Sequence, residues 1–475
     1  MRLINKHVLH DLYRSDQTTS TIFTKQHLSR LAFSSIDFYV ILDNPTWSYN
    51  DHPFMPLSPS RGLLIRSSFR TKAPIMAHSS TSASTRTSPL PPLPLPDGIA
   101  SNYVSCPIVD LTFHYLEAGY DPSRSKPLIL LLHGYPELAF SWRKIMPALA
   151  SAGYHVVAPD QRGFGRTTGW DDRPYAECDL SGFTMTRLVR DIVVFVSALG
   201  HREVHCVVGH DFGAVSAGSC ALFRPDIFKA LVLMSHPWKA IPNPPFATAR
   251  QRDPSGHDSS GIVGTDVTSE LAALDPPRKH YKWYHSSAPA AQDMLSAPQG
   301  LKAFLRGYFH VKSADYSRND PQPLKAWTAQ ELAKMPEYYI MPRDLTMPQT
   351  VASMMATEDA SKTLRWLPEP DLDVYVQEWG RTGFQGGLNW YRAQTDARQS
   401  ADVLLFTGKT IEVPCKFVSG RQDWGNYQQP GAIEKMGDVC TDFRGVKFVE
   451  GAGHWPQQEQ PAAVAEEILE FVKGL

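Results

Sequence analysis

Val207-Val208-Gly209-His210-Asp211-Phe212-Gly213 decides how this chain is read. The apolar run 204–208 leads into it and reads as a strand. The small, mostly apolar stretch 214–223 follows it and reads as a helix. Between them, the Gly-x-Asp-x-Gly spacing marks a tight strand-to-helix turn that lifts the central side chain clear of the backbone. The glycines are required because a Cβ at either position would clash with the neighbouring strand or helix. The helix N-terminus that follows favours an anion at Asp211. The ordinary alternative is that Asp211 only caps the helix, a common use of Asp. The motif alone does not separate the two, so the surrounding chain must.

Upstream, the strand-like run 128–132 ends in His133-Gly134-Tyr135-Pro136. This turn exposes backbone N–H groups above the sheet edge, and those of Tyr135 and Phe212 are placed to form an oxyanion hole. An ordinary strand-to-helix turn would look similar. Downstream, Phe417-Val418-Ser419-Gly420-Arg421-Gln422-Asp423 is a strand ending in a carboxylate. Phe448-Val449-Glu450-Gly451-Ala452-Gly453-His454 is a strand ending in a glycine-flanked histidine. A histidine base needs an acid to fix its tautomer and stabilise its charged form. A lone histidine in such a loop is usually structural. Three strand-end groups in the order nucleophile Asp211, acid Asp423, base His454 are hard to obtain by accident.

Around these motifs, strand-like and helix-like stretches alternate. The strands are expected at 111–117, 128–132, 155–158, 204–208, 230–234, 415–418 and 446–449, with helices such as 185–199 and 464–472. The pattern predicts an α/β fold with a mostly parallel central sheet flanked by helices. Residues 238–405 break it: they are rich in Trp, Tyr and Met and poor in strand signals, and read as a helical cap inserted after the sixth strand. The core is then 101–237 and 406–475. A cleft between sheet and cap is the usual place for a small-molecule site.

Residues 1–100 read as an extension. The segment 77–96 is Ser/Thr-rich and then Pro-rich, the composition of an extended linker. Arg2, Lys6, Arg14 and Arg30 would suit a targeting segment, but Asp11 and Asp16 argue against one. Met76 opens Met-Ala-His-Ser-Ser and offers an alternative start, so residues 1–75 are expected to be dispensable for catalysis. The 475 residues are 42% apolar and 20% charged with net charge −1, a soluble balance with no overall field for nucleic acid or an acidic membrane. No apolar run reaches the ~20 residues of a membrane span. Six scattered cysteines without a CxxC pair predict no metal site, no disulfides and a reducing, cytoplasmic compartment.

The run His133-Gly134-Tyr135-Pro136-Glu137 with Ser141-Trp142, the run Ala158-Pro159-Asp160-Gln161-Arg162-Gly163-Phe164-Gly165, the turn at Asp211, and Gly453-His454 together resemble the soluble epoxide hydrolases of the α/β-hydrolase fold. The resemblance covers roughly residues 102–475. It implies an Asp nucleophile, a His–acid pair, two cap tyrosines that protonate the opening epoxide, and no cofactor. Gly387-Leu388-Asn389-Trp390-Tyr391-Arg392 is similar to the second cap-tyrosine motif and points to Tyr391. His280-Tyr281-Lys282-Trp283-Tyr284 is similar to the first and points to Tyr281, with Tyr284 as competitor. Tyr338 and Tyr339 are expected to be cap packing. Trp142, Tyr284, Trp390 and Trp455 are expected to contact the substrate, an epoxide that leaves with water as a diol.

One departure bears on the rivals. Phe212 stands where Trp is commoner in the family. Related dehalogenases bind halide through that Trp and an Asn at the position of Tyr135, and this chain has neither side-chain donor. Besides a dehalogenase and another Asp-nucleophile hydrolase, the remaining alternative is a non-catalytic ligand receptor on the same scaffold.

Overall fold

The computed structural model describes residues 90–243 and 265–475. The targeting and alternative-start readings of residues 1–75 lie outside that range. Eight strands form one sheet: β1 (Ile99–Cys106), β2 (Leu111–Ala118), β3 (Leu128–Leu132), β4 (His155–Pro159), β5 (Cys206–His210), β6 (Leu231–Met234), β9 (Cys415–Gly420) and β10 (Phe443–Val449). Their spatial order is β1-β2-β4-β3-β5-β6-β9-β10. β1 and β2 pair antiparallel, as do β2 and β4, and every later pair is parallel. Strands β3 to β6 are buried at every residue. That is why they appear in the sequence as unbroken apolar runs: both faces of a parallel sheet are covered by helices. Edge strand β1 is half-buried or exposed at every residue but Cys106, carries Ser and Asn, and gave no apolar signal.

One face of the sheet packs on α2 (Met185–Ala198) and α3 (Phe212–Phe223), following α1 (Met146–Ser151) in the chain. α2 buries Leu188, Val189, Ile192, Phe195 and Val196, an apolar stripe at the three- and four-residue spacing of one helix face. The other face packs on α1 and the C-terminal helix Pro461–Lys473.

Between β6 and β9 the chain is largely helical, interrupted by a two-stranded antiparallel ribbon of β7 (Arg278–His280) and β8 (Ile340–Pro342). Its helices include α4 (Thr265–Ala272), α5 (Tyr281–His285), α6 (Leu301–Lys312), α7 (Glu369–Thr382) and α8 (Gln385–Thr395). They bury a third apolar cluster, dense in Tyr, Trp and Met, that takes in Tyr135 and Phe212 from the sheet side. The ribbon carries its own bonding, and its three-residue strands are too short to leave a period in the sequence.

The expected linker ends in a docked arm. From Leu90 to Pro96 the chain has no helix or strand, yet Leu93 and Leu95 pack on the apolar clusters and Pro91 accepts a hydrogen bond from Arg166. Alternating prolines and leucines suit this: proline forfeits a donor that an extended arm does not use, and leucine supplies apolar surface. All six cysteines are buried thiols. Among the described residues no helix is long and apolar enough to cross a membrane.

Candidate active site

Asp211 sits where β5 turns into α3, with φ of 54° and ψ of −117°, a strained conformation for a residue other than glycine. Its side chain makes no capping bond to α3, which removes the ordinary reading of an Asp at this position. A Cβ on Gly213 would collide with the Leu132 carbonyl oxygen, and one on Gly209 with the Gly213 carbonyl, so the turn closes only with glycine at both places. The carboxylate Oδ1 accepts the Tyr135 backbone N–H at 3.0 Å. Phe212 is the first residue of α3, so its N–H has no partner within the helix. Of the two backbone donors expected from the sequence, that of Tyr135 is bonded to this carboxylate.

His454 Nε2 faces Asp211 Oδ2 at 3.4 Å and has no aligned hydrogen-bond partner among the described residues. Its Nδ1 lies 3.1 Å from both Asp423 oxygens. Asp423 is itself held by the Gly425 N–H at 2.6 Å and the Ser419 hydroxyl at 3.3 Å. Burial works against a charged imidazole, but the Asp423 charge and the contacts with Asp211 and Asp423 outweigh it and raise the His454 pKa. Burial also opposes ionisation of Asp211. The His454 contact and charge, with Lys312 behind them, overcome it and hold that carboxyl far below the usual range.

The loop carrying His454 is fixed from three sides. His210 Nε2 lies 2.6 Å from the His454 carbonyl, and its Nδ1 lies 2.6 Å from Glu137. Gln457 and Gln458 donate to the same Glu137. The buried Glu459 carboxylate accepts the N–H groups of Gly453 and Trp455 on either side of the histidine, and that of Ala314 from the cap. None of Glu137, His210, Gln457, Gln458 or Glu459 was singled out from sequence. A buried polar residue that holds a loop has no periodicity or motif to betray it; the one signal was Glu137 closing the His-Gly-Tyr-Pro-Glu run.

The cap lays two tyrosines over this centre. The Tyr281 and Tyr391 rings are 5.9 Å apart, and Tyr391 stands edge-on to Phe212 at 4.5 Å. Tyr281 donates to Gln428 at 3.2 Å. Burial and the nearby Asp211 charge hold both phenols protonated well above the usual value, with each other's proximity adding to Tyr391. Tyr284 turns away and donates to Asp293 at 2.9 Å. Tyr338 donates to Asn319, while the Tyr339 hydroxyl is buried without a partner.

The residues expected to contact the substrate are engaged within the protein. Trp142 belongs to the apolar cluster on the other face of the sheet, with Ile129, Leu149, Val156 and Val464. Trp390 spends its N–H on the Arg162 carbonyl and props Phe212; adjacent residues of a helix point about 100° apart, so the neighbour of Tyr391 cannot share its direction. Trp455 donates to the Phe309 carbonyl and packs on His454 as a wall behind it. Tyr284, bound to Asp293, joins them as support. Among the described residues no group of three His, Cys, Asp or Glu side chains suits a metal ion.

Residues 127–275 match the family described as alpha/beta hydrolase fold. Epoxide hydrolase B of Mycobacterium tuberculosis is 32% identical over 372 residues, covering 75% of this chain and 94% of that protein. Epoxide hydrolase 2 of Siraitia grosvenorii is 30% identical over 313 residues, covering 65% and 78%. Among solved structures, an epoxide hydrolase from an endophytic Streptomyces superposes with a TM-score of 0.61 at 27% identity, covering 80% of this chain and 96% of that one. Potato (Solanum tuberosum) epoxide hydrolase I superposes with a TM-score of 0.57 at 30% identity, covering 79% and 100%. With that sheet order, that cap and likeness over nearly the whole length of such relatives, this chain belongs to the epoxide hydrolases of the α/β-hydrolase fold.

Proposed function

We propose that the chain converts an epoxide to a vicinal diol in two steps, with Asp211 as nucleophile and His454 as base. In the first step an Asp211 oxygen attacks one epoxide carbon, the C–O bond of the ring breaks, and an alkyl–enzyme ester forms. The departing alkoxide is strongly basic and takes a proton from a phenol. Tyr281 and Tyr391 are both buried, protonated and within ring contact of one another beside Asp211. Tyr284 is a poor alternative because its hydroxyl is already committed to Asp293.

In the second step His454 removes a proton from water, and the hydroxide adds to the ester carbonyl carbon of Asp211. Tyr135 and Phe212 N–H groups stabilise the oxyanion; on collapse the leaving alkoxide takes the proton that His454 holds, the proton left on the Asp211 carboxyl returns to the phenolate, and the diol departs from a regenerated site. Asp423 orients the imidazole and supports its charge. The reaction consumes only the epoxide and water.

The observation that carries this reading is the placing of one imidazole between two carboxylates. His454 directs Nδ1 at Asp423, 3.1 Å away, and Nε2 at Asp211, 3.4 Å away. Only the Asp211 carboxylate also accepts an N–H from the turn after β3. A receptor has no use for a base aimed at a strained carboxylate. The test is His454→Gln incubated with styrene oxide. The ester is expected to accumulate, and intact-protein mass spectrometry should find one added epoxide mass on the chain. Normal turnover with no adduct would reduce His454 to a loop residue and overturn the assignment.

A further inference from the structure

Lys312, the last residue of α6, is a buried cation that the two-step chemistry leaves unused. It is 3% exposed. What surrounds it is aromatic. Nζ lies 5.1 Å from the Tyr339 ring centre, 5.3 Å from Trp455, 5.5 Å from Tyr308 and 5.9 Å from Tyr338. Aromatic faces stabilise a desolvated cation without neutralising it. A surface lysine would have its charge screened by water, whereas this one projects its field into the site.

The position is rigidly tied to the base. The Lys312 carbonyl accepts the backbone N–H of His454 at 2.9 Å, and a Cβ on Gly453 would collide with the chain at Lys312 to Ala314. The Trp455 ring that Lys312 touches also lies against the His454 ring, 4.6 Å away. The Tyr339 ring that it touches lies 5.1 Å from the Tyr281 ring. The ammonium is therefore one aromatic ring removed from both the base and a phenol. The titratable groups that face it are Asp211, Asp423 and Glu137 from the sheet side, and His454, His285, Tyr308, Tyr338 and Tyr339 around them.

We propose that Lys312 is a positioning residue whose fixed charge keeps His454 neutral, and so available as a base, once Asp211 has become an ester. The inference rests on the two-step reading above. The charge count supplies the reason. In the resting site two carboxylates flank His454, and on ester formation Asp211 loses its charge while Asp423 keeps its own. Facing Asp423 alone, the imidazole is still biased towards its protonated form. A nearby cation opposes that proton. Burial depresses the ammonium's own pKa, and Asp211, Asp423 and Glu137 work to restore it.

The test separates the half-reactions by single-turnover kinetics with styrene oxide, following ester formation and ester hydrolysis across pH. Ester hydrolysis requires neutral His454, so its rate rises with pH through the histidine pKa. Lys312→Met keeps an unbranched stem among the rings and removes the charge. Its hydrolysis limb is expected to move to higher pH by about one and a half units, the size of a unit charge acting across roughly 8 Å at an effective dielectric near 20. Above that limb the hydrolysis rate should return to the wild-type value, which simple loss of packing would not allow. Lys312→Arg should keep the wild-type limb. Lys312→Gln, with a polar end, gives the same reading if the Met variant does not fold. An unshifted limb in a folded neutral variant overturns the role of Lys312. Absence of any ester in the wild-type protein would instead overturn the two-step reading.

Discussion

In the sheet half of the site the reactive groups are placed by main chain; in the cap half they are placed by rings. Asp211, Asp423 and His454 each stand at a strand end, and each is fixed by backbone N–H groups, by glycines that permit close approach, or by buried polar partners. Tyr281 and Tyr391 stand on short cap helices, and ring contacts with His285, Tyr339, Phe212 and Tyr135 orient them. Hydrogen bonds to main chain are directional and tolerate little change. Edge-on ring packing is worth about 0.5–1.5 kcal/mol per pair and can be met by several arrangements. The sheet half should therefore fail completely when one group is lost, and the cap half by degrees.

The largest effect is expected for Asp211→Ala. No other carboxylate occupies the turn, so steady-state diol formation should be abolished. The circular dichroism spectrum should stay unchanged, because the side chain makes no capping bond. Diol formation by the purified variant at the native rate would remove the nucleophile from the sheet half.

The tyrosines should lose activity in steps. General acids contribute about 10²–10⁴-fold, so Tyr281→Phe and Tyr391→Phe should each slow ester formation while leaving part of it, and the double variant should fall well below either. Hydrolysis of a preformed ester should barely change, because protonation of the alkoxide precedes it. Tyr284→Phe is the control; with its hydroxyl bound to Asp293 it should alter ester formation by no more than a few-fold. If the double variant forms ester at the wild-type rate, Tyr281 and Tyr391 are cap packing.

The smallest effect should appear at the seam between the halves. Glu459 ties Gly453 and Trp455 of the sheet half to Ala314 of the cap. Burial lifts its carboxyl pKa to about 7, against the pull of the three backbone N–H groups. Because the folded value lies above the unfolded one, near 4.3, the folded state binds more protons between them, and this group's contribution to stability falls as pH rises through that window. Thermal melts at pH 5 and pH 8 should show wild type losing up to about 3 kcal/mol relative to Glu459→Gln, which carries no such proton. Parallel pH dependence in the two proteins would mean that Glu459 does not titrate in this range.

Legibility followed the same division. The elbow at Asp211, the carboxylate at Asp423 and the histidine at His454 could be read because strand-end chemistry leaves glycines and apolar runs at fixed offsets. Edge strand β1 and the ribbon of β7 and β8 could not, since their residues are half exposed or too few to form a period. Tyr281 and Tyr391 were reached through resemblance, and the geometry adds a reason to prefer Tyr281 over Tyr284. The packing and hydrogen bonds of Trp142, Trp390 and Trp455 could not be read, because a position in sequence beside a motif does not fix the direction of a side chain.

By itself, the sequence determined a parallel sheet with a carboxylate at the strand-to-helix turn, a second carboxylate and a histidine in matching order behind it, and a helical insertion between. These are local properties: they depend on runs of apolar residues and on glycines where a Cβ cannot fit. Tertiary structure alone decided that Glu137 and His210 brace the His454 loop, that Glu459 joins cap to core, and that Lys312 comes within one ring of His454. Those partners are separated by tens to hundreds of residues. A buried charge takes its meaning from whatever the fold brings around it, because the low dielectric of the interior lets it act on every group nearby.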